Sequence, residues 1–150
     1  MTFQLSQRSL GRLDGIDGKL HTVVCAAIKL SNIDFGVTCG LRTQAEQEDL
    51  VARGASQTMK SLHLEGKAVD VVAYIGSRIS WELNLYDDIA DAMKQAALDH
   101  DVKLRWGAAW HKNLTDWTDT SENLMNEYID LRRSEGRRPF IDAPHFEMVD

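Results

Sequence analysis

Ser61-Leu-His63-Leu-Glu-Gly66-Lys-Ala-Val-Asp70-Val-Val-Ala-Tyr-Ile75 is the stretch on which the fold turns. Its second half, Ala68 to Ile75, is dominated by valine, and β-branched residues suit a pleated, half-buried strand. Asp70 stands in the middle of that apolar run. Strand alternation puts Ala68, Asp70 and Val72 on one face. A carboxylate there is costly to bury unless something pairs with it, and a metal ion is one such partner. His63 lies just before the strand. Gly66 lets the chain turn so that both side chains converge.

A second polar group in an apolar setting occurs near the end, in Asp142-Ala-Pro144-His145-Phe-Glu147-Met-Val149. A strand over His145 to Val149 sets His145 and Glu147 on one face and Phe146 and Met148 on the other. The apolar pair belongs to the core, so the polar pair faces a cleft. Pro144 disfavours a helical conformation at Ala143 and fixes the approach to the strand. Asp142 then sits at the rim, near His145. Two histidines and one carboxylate form a common catalytic zinc set, with water in the fourth position. Zinc brings the pKa of water down towards about 7, and a nearby carboxylate takes the proton. Asp142 and Glu147 are both candidates for that base.

Working outward, Ser6 caps a short helix through Leu13, and the DGIDG that follows is a turn. Leu20, Val23, Val24, Ala27 and Ile28 recur at helical spacing between Lys19 and Leu30. Phe35 to Cys39 reads as a short strand. Thr43 and Glu46 form a capping box for a helix that Gly54 ends. Glu82 to about His100 is a helix with Leu85, Ile89, Ala92, Met93 and Ala96 on one face. Lys103 to Trp106 is a further strand, Gly107 to Trp117 a tryptophan-rich loop, and Ser121 opens the last helix. Helices and strands do not alternate as in a parallel sheet. The expected architecture is one α+β domain over residues 1–150, with a small, mainly antiparallel sheet packed with helices and the zinc site in a cleft.

The chain carries 17 basic and 23 acidic residues, a formal net charge of −6, which argues against nucleic-acid binding. Arg132, Arg133, Arg137 and Arg138 form a local basic exception. MTFQLSQRSLGRLDG lacks the apolar core of a signal peptide, and Val23 to Ile28 is too short for membrane insertion. Synthesis in a cytoplasm is expected. There Cys25 and Cys39 are reduced, and both read as buried thiols.

The pattern S-x-H-x6-D, Ser61 to Asp70, followed by D-x-x-H, Asp142 to His145, resembles the zinc D-Ala-D-Ala carboxypeptidase superfamily, and within it the phage L-alanyl-D-glutamate endopeptidases. The likeness runs from the FQLSQRSL start to the PHFEM end. It implies zinc on His63, Asp70 and His145, Asp142 as general base, and Glu147 behind the ligands. Gly40-Leu-Arg42-Thr43-Gln44, with Gln47 after it, fits the same family, whose arginine at this place contacts the scissile carbonyl. Ser61 is expected to bind substrate or orient the site. Arg105-Trp106-Gly107-Ala108-Ala109-Trp110 resembles the WGG-x-W stretch of these endolysins, with Trp106 and Trp110 candidates for lining the cleft. Ala108 replaces the second glycine, and Ala109 stands where an aspartate is common.

The resemblance implies hydrolysis of the L-alanyl-D-glutamate bond in the peptidoglycan stem peptide for host lysis, by a monomer without a separate wall-binding domain. The enzyme would wait in the host cytoplasm and reach the periplasmic wall through a holin lesion. A D-Ala-D-Ala carboxypeptidase or dipeptidase with the same site and a non-catalytic wall-binding module are the alternatives. A non-haem iron oxygenase also uses two histidines and one carboxylate, but its His-x-Asp spacing is absent. No nucleophile-elbow pattern surrounds Ser61, so a serine triad with His63 and Asp70 is disfavoured.

Overall fold

The computed structural model describes residues 2–56 and 58–149. Its first helix, α1 (Gln7–Arg12), is capped by Ser6, whose side chain accepts from the Ser9 amide. Asp17 does the same for α2 (Gly18–Leu30) through the Lys19 amide. The periodic residues Leu20, Val23, Val24, Ala27 and Ile28 are buried against α4 (Leu83–Asp99), which turns Leu85, Ile89, Met93 and Ala96 inward. Each such fully buried aliphatic side chain contributes about 1.5–3 kcal/mol relative to exposure.

Five strands form one antiparallel sheet. Four of them, β1 (Asp34–Cys39), β2 (Ala68–Ile75), β5 (His145–Met148) and β4 (Leu104–Trp106), lie in the order β1-β2-β5-β4. The fifth, β3 (Arg78–Ser80), also pairs with β2. Val69, Val71, Ala73 and Phe146 are fully buried in the core shared with the helices. The α+β reading, with a mainly antiparallel sheet, therefore holds. Helix α3 (Gln44–Ala52) starts with the expected capping box of Thr43 and Glu46. Helix α5 (Ser121–Ser134) follows Thr120, which caps the Asn123 amide. None of the helices is long and apolar enough to cross a membrane among the described residues.

Two local features differ from the sequence reading. The hairpin β2–β3 was not anticipated, although Gly76-Ser77 between two strand-like runs is a hairpin signal; Gly76 takes the left-handed φ of 64° that such a turn needs. The two thiols are half-buried rather than buried. Cys25 lies beside His21, and Cys39 ends β1 next to Asp70, at a position taken up below.

Candidate active site

Strand register creates the site. Asp70, at the middle of β2, is paired with Cys39 on β1 and with His145 on β5. Residues directly opposite across strands have Cβ atoms about 4.5–5.5 Å apart, so one row of the sheet carries a thiol, a carboxylate and an imidazole side by side. The register shifts between Val37 and Cys39, a bulge that brings Cys39 opposite Asp70.

His63 arrives from outside the sheet. It sits in a single 3-10 turn, Leu62–Glu65, where Ser61 accepts from the His63 amide at 3.2 Å. Gly66 ends that turn in the left-handed region, at φ 70°, and returns the chain to β2. The Arg42 amide donates to the His63 carbonyl at 2.9 Å, which ties the segment after β1 to the same turn.

The roles of the four imidazole nitrogens follow from their partners. His63 Nδ1 lies 2.9 Å from the Gly40 carbonyl, an acceptor only, so Nδ1 carries the proton. Nε2 is then a lone pair. It is buried, 3.3 Å from Asp70 Oδ1, and makes no hydrogen bond of proper geometry. At His145 the order is reversed. Nε2 lies 2.8 Å from Glu147 Oε1 and Nδ1 lies 3.1 Å from Asp70 Oδ1, so a cation taking Nδ1 would leave the proton on Nε2 with Glu147 as its acceptor. Two nitrogens, each fixed from behind by an acceptor, thus aim at one carboxylate oxygen. Second-sphere bonds of this kind set the tautomer and orientation of metal-binding histidines. The alternative to a cation is protonation. Burial pulls both imidazoles down, but the Asp70 carboxylate, helped by Cys39 at His63 and by Glu147 at His145, outweighs it and raises His63 to about 10 and His145 to about 9. Asp70 itself is pushed up by burial, yet the two histidines hold it well below the usual carboxylate range.

Ligand atoms of Asp70, Asp142 and His145 lie within 4.8 Å of one another, and so do those of Cys39, His63 and Asp70. The second set is the poorer host. Cys39 Sγ lies on the Nδ1 side of His63, at 3.7 Å, and that nitrogen is already engaged with Gly40. Cys39 instead accepts from Arg42 Nη2 at 3.3 Å. Arg42 Nη1 donates to Gln47 Oε1 at 2.7 Å, and the guanidinium stands 3.9 Å from Asp70. Gln47 is fully buried and also holds Ser56 and the Thr58 carbonyl through Nε2.

Asp142 opens the turn into β5. Its carbonyl accepts from the His145 amide, and its amide donates to Gly107. Burial, reinforced by the charge of Asp70, raises its carboxyl above the usual range. Glu147 is buried, bonded to His145 and 3.5 Å from Arg105. Trp106 corrects an expectation. It is fully buried, stacked at 6.3 Å on Phe146, with Nε1 donating to the Ala143 carbonyl, and does not line the cleft. Trp110 takes that place, 5.4 Å from the His145 ring and stacked on Phe140. The remaining histidines lie elsewhere: His111 pairs with Glu127 and His100 caps α4.

These residues open on a cleft of about 820 Å³, lined by Arg42, Ser61, His63, Asp70, Asp142, His145 and Glu147, with Gly54, Ser56, Thr58, Lys60, Trp110 and Phe140. Cys39, Gln47 and Arg105 were missed as parts of the site. A thiol at a strand end and a glutamine on a helix give no signal until register brings them to Arg42.

Comparisons with known proteins place the whole chain beside one group of peptidases. The L-alanyl-D-glutamate peptidase of Escherichia phage T5 is 31% identical over 153 residues, covering 99% of this chain and all of that protein. A Listeria phage A118 protein of the same name is 36% identical over 70 residues, 47% of this chain and 24% of its own length. The crystal structure of the Serratia marcescens L-Ala D-Glu endopeptidase ChiX superposes with a TM-score of 0.73 at 31% identity, covering 99% of this chain and 91% of that one. Residues 1–149 match the family described as phage L-alanyl-D-glutamate peptidase, and the chain belongs to that family.

Proposed function

We propose that this protein is a zinc-dependent peptidoglycan endopeptidase that hydrolyses the L-alanyl-D-glutamate bond of the stem peptide. The observation that carries the reading is the convergence of His63 Nε2 and His145 Nδ1 on one oxygen of Asp70. That donor set, two neutral imidazoles and one carboxylate, fits a divalent cation with open coordination positions. The names of the relatives support the L-Ala–D-Glu bond over a D-Ala–D-Ala bond.

His63, Asp70 and His145 would hold the zinc. When bound, zinc supplies Lewis acidity to the scissile carbonyl and makes water acidic enough to ionise near neutrality. Asp142 takes the proton from the attacking water and returns it to the leaving amine. Burial and the Asp70 charge raise its carboxyl above the usual range, the direction that makes a carboxylate a better proton acceptor. Arg42, braced by Gln47 and Cys39, presents a fixed positive charge to the oxygen that becomes negative as the carbonyl turns tetrahedral. Charge placed in advance lowers the barrier without reorganisation in the reaction itself. Glu147, with Arg105 beside it, keeps His145 in the ligand tautomer. Ser61 holds the His63 turn in place.

The cleft is complete within one chain, which supports action as a monomer. The phage relatives support action on the host wall after release from the cytoplasm through a holin lesion. The test is direct. Purified protein should contain one zinc per chain and release new D-glutamyl amines from Gram-negative peptidoglycan. A chelator should abolish the activity and zinc should restore it. His63→Ala should lose both metal and lysis. Release of D-alanine in place of D-glutamyl amines would refute the bond assignment, and full activity of metal-free protein would refute the zinc.

A further inference from the structure

The cleft holds a cation that the proposed chemistry leaves unused. Lys60 lines the cleft, exposed to solvent, and makes no ion pair among the described residues. Arg42, the other basic residue of the lining, is already committed to Gln47, Cys39 and Asp70. The acids of the lining, Asp70, Asp142 and Glu147, cluster with the histidines. Lys60 is therefore the cation of the lining that remains open to an anionic group on a substrate.

Lys60 is also placed, not merely nearby. Its amide donates to Thr58 Oγ1 at 3.0 Å, and the Thr58 carbonyl is gripped by the buried Gln47 side chain. Gln47 is the same residue that orients Arg42. One buried amide thus holds both the backbone under Lys60 and the Arg42 guanidinium.

The substrate class supplies the matching anion. A glutamyl residue has two carboxyl groups. One continues the peptide, and the other stays free, next to the nitrogen of the bond being cut. In some walls this free group is amidated and uncharged. We propose that Lys60 is the specificity-determining residue of the cleft: its ammonium pairs with the free carboxylate of the D-glutamyl residue, so stems with that carboxylate ionised are cleaved in preference to stems in which it is amidated. This assignment rests on the L-alanyl-D-glutamate reading above.

The experiment compares kcat/KM of the zinc-loaded full chain on two soluble muropeptides, identical except for D-glutamate or its α-amide, D-isoglutamine. A charge-assisted pair in a partly open cleft corresponds to a preference of about 10- to 100-fold for the free carboxylate. Lys60→Gln should bring that ratio close to one, and Lys60→Arg should keep most of it. The native preference should shrink in high salt, because an exposed pair is screened. Lys60 is on the surface, so zinc content and thermal midpoint of both variants should match the native protein. A native ratio near one, or an unchanged ratio in Lys60→Gln, overturns the assignment. Failure of the function reading looks different: the zinc-loaded native protein then cuts neither muropeptide, and the assignment falls with it.

Discussion

At the scale of single residues, the site is a problem of proton bookkeeping on two imidazoles. Gly40 takes the proton of His63 Nδ1 and Glu147 takes that of His145 Nε2, which leaves opposite nitrogens of the two rings for the cation. Glu147→Ala should remove the second of these constraints. Zinc affinity is expected to fall about 10- to 100-fold, the usual cost of losing an outer-sphere partner, measured by competition with a chelator. Unchanged affinity would mean that Glu147 does not orient His145 for the cation. Asp142 is different in kind. Asp142→Asn should retain zinc while kcat drops about 10²- to 10⁴-fold, the range lost with a general acid–base group. If that variant cleaves muropeptides within a few-fold of the native rate, the proton passes through Glu147 instead. That these residues belong together was legible in the sequence because Asp70 is a charged residue inside a valine strand and Pro144 marks the turn before His145. Trp106 was misread for a physical reason. An indole has both an apolar body and a donor tip, so it suits a cleft wall or a core with a carbonyl to meet, and the Ala143 carbonyl decided for the core.

At the scale of elements, what the sequence conveyed well were the parts governed by local rules. The capping box at Thr43, the caps at Ser6 and Asp17, and the apolar periodicity of α2 and α4 all depend on residues within a turn or two. What it concealed depends on pairing. The bulge in β1, the row Cys39–Asp70–His145 and the clamp between β4 and the 142–145 turn exist only once strands distant in sequence meet. That clamp makes a sharp case. Gly107 exchanges hydrogen bonds with Asp142 and His145, and a Cβ on it would lie 2.1 Å from the Asp142 carbonyl oxygen. Backbone cannot yield as a flexible side chain does. Gly107→Ala should therefore push the 142–145 turn away from β4, costing about 1–3 kcal/mol of stability. It should also lower kcat more than it raises KM, because it displaces the proposed base together with a proposed ligand. Urea unfolding and steady-state kinetics check both. A variant as stable and active as the native protein would show that the turn adjusts without help from Gly107.

At the scale of the whole molecule, negative charge outside the cleft sets a second condition on stability. The net charge is −6, and part of it converges where α4 meets the start of α5. Asp87 is only 7% exposed there, and its Oδ1 has no hydrogen-bond partner. Burial first, then the charges of Glu122, Asp88 and Asp91, raise its carboxyl from 3.8 to about 6. The sign of the linkage follows. A carboxyl whose folded pKa exceeds its unfolded value binds more protons when folded, so it favours the fold below about pH 4 and that contribution is lost as pH rises through 6. Above neutrality the fold carries an ionised, unpaired carboxylate. Two pKa units correspond to at most about 3 kcal/mol, and relaxation around the charge reduces the realised value to about 1–2 kcal/mol. Asp87→Asn keeps the shape and removes the charge, so it should stabilise the protein by that amount at pH 8 and by almost nothing at pH 4. The comparison is made by urea unfolding of both proteins across that range. The metal site is the same in both, so its own titration cancels in the difference. A gain that is equal at every pH would come from packing, and no gain at pH 8 would mean that the acids around Asp87 do not disfavour its ionisation.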